Sequence, residues 1–150
     1  MSLRKTWFTL VQVAYDLFLK LNPRKLAVHA VLTDAEGRVL LLRSRYADVW
    51  MLPGGGLNRR ENLDSALIRE CREELGVEVA LGPMTGMYYH RDISAYVAVF
   101  RCKIVAGEVT LSHEHSEFRW LPLDQLPERV RQEVADALRY DGQAALRTFA

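Results

Sequence analysis

A chain of 150 residues that is 49% hydrophobic can bury one substantial core without disulfides or a structural metal, and its length points to a single domain. Charged residues make up 26% of it and balance to a net charge of +1, so no global field recruits polymeric nucleic acid or an anionic membrane. The two cysteines, Cys71 and Cys102, fall in an amphipathic helical run and an apolar strand-like run without metal-ligand spacing, which reads as reduced core thiols in a cytoplasmic protein.

The first predicted element is helical. Leu3, Trp7, Leu10, Val11, Ala14, Leu17, Phe18 and Leu21 recur at helical spacing and stop before Asn22-Pro23. Gln12, Asp16 and Lys20 interrupt the run and no small-residue cleavage site follows, which argues against a signal peptide or a bilayer span. Residues 1–23 are therefore expected to form an amphipathic helix, and residues 24–150 the main domain. The apolar face needs cover, from the domain first, a homodimer partner second and a membrane surface third.

From Leu26 the period changes to that of strands. Leu26–Leu32 and Val39–Leu42 flank Asp34-Ala35-Glu36-Gly37, which reads as a hairpin turn. A short strand, Val49–Leu52, feeds Pro53-Gly54-Gly55-Gly56, where three successive glycines mark a tight turn or a close approach of backbone to ligand. Their amides are available to phosphate oxygens. Asn62 is the expected N-cap of the next helix, with Asp64 in its first turn.

That helix carries the most informative residues. Glu70, Glu73 and Glu74 share one stripe, and no lysine stands at i+4 to relieve them; Arg69 and Arg72 are expected to project to the other side. Leu63, Leu67, Ile68, Cys71 and Leu75 form an adjacent apolar stripe. A solvated acidic face is the commoner meaning of clustered glutamates. Here the position beside the glycines favours a hard cation, Mg2+ or Mn2+, that also holds a phosphate chain. Beyond it, Val77–Leu81, Thr85–His90, Ser94–Val105 and Glu117–Leu121 read as strands and residues 126–140 as a closing helix, which predicts an α+β fold with a mixed sheet between helical layers.

Gly55, Glu61, Arg69-Glu70, Cys71, Glu73-Glu74, Gly76 and Val77, at these spacings, resemble the signature of the Nudix hydrolases. Cys71 stands where the family usually has a larger aliphatic, and weaker family features run from about Leu26 to about Pro127. The resemblance implies the Nudix α/β/α sandwich and metal-dependent hydrolysis of a pyrophosphate linkage in a nucleoside diphosphate joined to another moiety. It places Glu73 and Glu74 as metal ligands, Glu70 as ligand or base, Gly55 beside the metal, Arg69 as the group that orients a carboxylate, and Glu61 as a group that supports the loop or reaches the metal through water. Ser112 to Trp120 resembles the region that often supplies one more acid, for which Glu114 is favoured over Glu117; His113 and His115 flank it. Candidate substrate contacts are Gly54, Gly55, Arg43 and Arg45 for phosphates, with Trp50, Tyr46, Tyr88, Tyr89, His90 and Tyr96 as stacking surfaces. Accessory motifs of the coenzyme A and NADH branches are not seen, and Gly82-Pro83 does not match the later proline of the main ADP-ribose branch. A binding module that senses a nucleotide without turnover is the alternative, and the intact glutamates argue against it.

Overall fold

The computed structural model describes Val13 and residues 25–149, so the expected helix over residues 1–23 lies outside the described residues except for Val13. The elements are β1 (Lys25–Leu32), β2 (Val39–Ser44), β3 (Trp50–Met51), β4 (Gly54–Gly56), α1 (Leu63–Leu75), β5 (Glu78–His90), β6 (Ala95–Ala106), β7 (His115–Leu121), a 3-10 turn (Leu123–Gln125), α2 (Glu128–Arg139) and β8 (Ala145–Phe149). They build a mixed five-stranded sheet, β4-β1-β6-β5-β8, and an antiparallel three-stranded sheet, β3-β2-β7. β1 runs parallel to β6 and β5 parallel to β8; the remaining pairs are antiparallel.

Two apolar layers hold helices to opposite faces. On one, Leu67, Cys71 and Leu75 of α1 meet Val28, Ala30, Leu40, Leu42, Ala98 and Phe100. On the other, Val130, Val134 and Ala137 of α2 meet Val31, Val39, Leu41, Tyr88, Val97 and Val99. Alternation along β1 and β2 assigns successive residues to the two layers, as the strand period of two demands. The result is the expected α+β sandwich, helix over sheet over helix.

Four local expectations need correction. The Asp34–Gly37 turn is present, with Asp34 N–H donating to Arg38 O at 3.0 Å, but β1 and β2 separate after a single bridge, Thr33 to Val39, and enter different sheets. The glycine run is a strand: Gly54, Gly55 and Gly56 pair with His29, Val28 and Ala27. Gly82-Pro83 does not divide a strand, because β5 absorbs it in register shifts between Leu81, Met84 and Gly86. β8 was not expected; only Ala145 and Phe149 face the core while Leu146 and Thr148 face outward, too short a run to read.

Candidate active site

The local chemistry of α1 fixes where its carboxylates point. Asn62 Oδ1 accepts the Ser65 N–H at 2.8 Å and sets the start, while Gly76, at φ 66°, closes the end with its N–H on Arg72 O at 3.0 Å. With the apolar stripe sunk in the core, Glu70 and Glu74 face β4. The Glu70 carboxylate lies so close to Gly55 that a Cβ there would sit 2.6 Å from Oε1, so any larger residue would displace the carboxylate from this position. Gly54, at φ 143°, is backed against Val28 O and donates its N–H to Glu74 Oε2 at 2.8 Å. The glycines thus serve close approach twice over, to β1 behind and to glutamates in front.

Arg69 does not project away from the stripe, contrary to the helical-wheel expectation. Its Nη1 donates to Glu70 at 2.8 Å and Glu73 at 3.1 Å, Nε and Nη2 grip Glu61 at 2.9 Å each, and Nη2 also reaches Gly56 O at 3.0 Å. A five-donor fork satisfies several acceptors at once, which a side chain's mean direction does not reveal. These bonds, with one from Asn58 N–H, hold the Glu61 carboxyl down at about 2.

Charge is not balanced across the rest of the cluster. Burial pushes Glu74 up to about 8; the Gly54 amide opposes that shift, and the charges of Glu70, Glu114 and Glu73 add to it. Burial raises Glu70 too, against Arg69 and with Glu73 and Glu114. Glu114 is exposed in the loop before β7, which is tied to α1 by Ser112 N–H on Glu74 O at 3.1 Å. Arg45 braces that loop: its Nε and Nη2 donate to the carbonyls of His113 and His115 at 3.0 and 3.2 Å. His113 is exposed. His115 is buried, with Nε2 3.6 Å from Glu74 Oε1 and Nδ1 without a hydrogen-bond partner. No local pattern marks His115 for burial; it opens β7, paired with Ser44 of β2 and set beside Glu74.

Other candidates are engaged elsewhere. Arg43 Nε bonds Asp48 at 2.7 Å and its Nη1 lies 3.5 Å from Glu117, which is itself held by Arg119. Trp50 is half-buried with the Arg119 guanidinium 5.0 Å above its ring. Tyr88 is core, its hydroxyl donating to Asp136 at 2.9 Å. Tyr89 and Tyr96 stack on one another at 4.7 Å, and Tyr46 is exposed. His90 joins His29 around Glu133, a buried cluster that sequence reasoning missed because its members lie 43 and 104 residues apart.

The carboxylates of Glu70, Glu73, Glu74 and Glu114 are hard ligands that suit Mg2+ or Mn2+, whereas the imidazole of His115 is a borderline donor that adds nothing to that preference. Among the described residues no three such groups already converge on one point, so the fit rests on donor chemistry and on a repulsion that a cation relieves.

A carboxylate helix set against a glycine strand on one face of an α/β/α sandwich defines a class of phosphate-handling domain. The NUDIX domain family matches residues 23–140. A MutT-like protein from Streptomyces ambofaciens is 33% identical over 109 residues, 73% of this chain and 71% of that protein. Diphosphoinositol polyphosphate phosphohydrolase 2 of Mus musculus is 41% identical over 61 residues, 40% of this chain and 34% of its own length. The solved structure of a MutT protein from Methanosarcina mazei superposes with a TM-score of 0.68 at 27% identity, covering 81% of this chain and 98% of that one. The chain belongs to the Nudix family and is a hydrolase of its pyrophosphohydrolase type.

Proposed function

We propose that this enzyme uses Mg2+ or Mn2+ to hydrolyse a pyrophosphate bond in a small nucleoside diphosphate derivative, such as a nucleoside triphosphate, sugar nucleotide or ADP-ribose. The observation that carries the reading is the setting of the Glu70 and Glu74 carboxylates against Gly55 and Gly54, with Glu74 buried and pushed up to about 8. Glu70, Glu73, Glu74 and Glu114, with the Gly55 backbone, would hold the ion. When bound, the ion neutralises phosphate oxygens and lowers the pKa of a water.

The chain's own residues do the remaining work. Gly54 fixes one Glu74 oxygen and leaves the other facing His115. Arg69 holds Glu70 and Glu73 in register and takes no part in proton transfer, since its charge is fixed by Glu61, Glu70 and Glu73. Glu70 and Glu114 are the candidate bases, and burial raises the Glu70 carboxyl, which favours its taking a proton. Arg45 serves as loop brace, and any phosphate contact by Arg43 requires release from Asp48. Cys71 and Cys102 are buried, with thiols pushed up to about 12 and about 11, which suits inert groups in a reducing cytoplasm. Among the described residues no helix is long and apolar enough to cross a membrane.

Chromatographic detection of the nucleotides formed from nucleoside triphosphates, sugar nucleotides, ADP-ribose and dinucleoside polyphosphates, each with Mg2+, Mn2+ or EDTA, tests the reading. Turnover of at least one substrate with metal and none with EDTA is expected. Equal turnover in EDTA overturns it.

A further inference from the structure

The five-stranded sheet is covered unevenly on the α1 side. α1 lies over Val28, Ala30, Ala98 and Phe100, but the rows nearer the start of β1 extend past it. One row joins Leu26, Tyr96 and Tyr89 across β1, β6 and β5; the next, covered by α1 at Val28 and Ala98, continues through half-buried Met87 to Leu146 of β8 beyond the helix. Leu26 is 40% exposed, Tyr96 36% and Leu146 82%, and a hollow of about 240 Å³ opens between Met87, Tyr89, Tyr96 and Leu146. Isolated surface leucines need no explanation. A contiguous aromatic and aliphatic strip on a sheet face does.

The same chain holds an apolar surface with nothing yet assigned to it. Eight large or small apolar residues from Leu3 to Leu21 share one helical stripe, and the segment joins β1 directly, through Asn22, Pro23 and Arg24. Leu26, the first residue of the exposed strip, is therefore five positions from Leu21. The lengths agree as well. From Leu21 back to Leu10 a helix rises about 16 Å, and from β1 across β6 and β5 to β8 is about 14 Å. A helix laid along that line would put Leu10 over Leu146, and Phe18 and Leu21 over Tyr96 and Leu26. Val13, which lies outside the stripe, is helical and 59% exposed.

We propose that residues 3–21 dock through the Leu3–Leu21 stripe on the open strip formed by Leu26, Tyr96, Tyr89, Met87 and Leu146 of their own chain. The occupant is this segment because it enters at the strip's edge, so its local concentration exceeds that of any second copy or vesicle. Docking also reaches the active site's border. Leu57, which follows the glycine strand and packs with the α1 layer, donates its N–H to Leu26 O at 3.2 Å, so a helix over Leu26 walls that turn from outside.

The test uses the full chain. Cys71 and Cys102 are buried, so a short bis-maleimide reports on engineered thiols. Leu10→Cys with Leu146→Cys should cross-link within one chain at monomer mass, and Gln12→Cys with Leu146→Cys, from the opposite side of the helix, should not. Leu146→Thr should lower Tm by about 3–6 °C despite the residue's exposure, and Leu10→Thr by a similar amount, with the double variant no worse than the poorer single one. A cross-link found only between chains overturns the proposal in favour of a dimer. Flotation of the full chain with phosphatidylcholine–phosphatidylserine vesicles overturns it in favour of a membrane surface. Absence of any cross-link, or a silent Leu146→Thr, overturns it outright.

Discussion

Two groups of acids lie on opposite sides of the large sheet, and their contrast separates structure from chemistry. On the α2 side, burial alone would raise Glu133, but hydrogen bonds from His29 at 3.0 Å and His90 at 2.9 Å hold it down at about 2. An ionised carboxylate only accepts, so His29 Nδ1 and His90 Nε2 both carry protons there. Nearby, Asp136 is lowered by Arg147, with Tyr88 and Gln132 completing its bonds. On the α1 side, Glu74 and Glu70 are raised, and beside them stand more acids. A satisfied buried acid stabilises a fold; a repulsive cluster of them costs stability until a cation arrives. The proposed function rests on the second.

The largest effect that would break this contrast comes from the α1 side. Glu73→Gln and Glu74→Gln should each cut kcat by about 1000-fold or more while circular dichroism and Tm stay near those of the parent, since each keeps shape and deletes ligand charge. Near-normal turnover in both variants at saturating Mg2+ would sink the assignment. On the α2 side the pattern should invert: Glu133→Ala should destabilise the protein by about 2–4 kcal/mol in urea unfolding, by stranding two imidazoles, while its folded fraction keeps turning over. If Glu133→Ala abolishes kcat without a shift in stability, the two sides have been given each other's roles.

Glu114→Gln is expected to lower kcat about 100-fold if it acts as base or ligand, and Glu117→Gln to do much less, because Glu117 is already paired with Arg119 and Arg43. The reverse order would move the role to Glu117. The smallest effect is on stability against pH. The Glu74 carboxyl is raised in the folded state, so its contribution is complete below the ordinary 4.5 and is lost as pH rises through about 8. Metal-free protein should therefore melt at progressively lower temperature between these limits, with the slope reduced in Glu74→Gln. Mg2+ should raise Tm more at pH 8 than at pH 5.5, because at the lower pH it competes with a proton. A pH-independent metal effect would place the ion away from Glu74.

Much of this was readable from residue order. Helical period, Asn62 as cap and the crowding of Glu70, Glu73 and Glu74 are local facts, set within four residues of one another. The family resemblance rested on the same short stretch, and the α+β order of elements followed from alternation of periods. What failed was also instructive. Arg69 was given the direction of its Cα, yet its fork reaches back to Glu61 and Gly56 as well as Glu70 and Glu73. Gly54-Gly55-Gly56 reads locally as a turn or a close approach, yet pairing with β1 makes it a strand.

The chain's order thus determined which residues share a helix face, where that helix starts and stops, and that its acids repel one another. Tertiary structure alone decided which of those acids lost their water. Glu74 is pushed up because β4, His115 and the core enclose it, whereas Glu61, equally acidic in sequence, is held down by Arg69. Likewise His29, His90 and Glu133 form one unit only because β1, β5 and α2 bring them together. Periodicity is a property of neighbours along the chain, while desolvation and ion pairing depend on distance in space, and residues 104 apart carry no local sign of either.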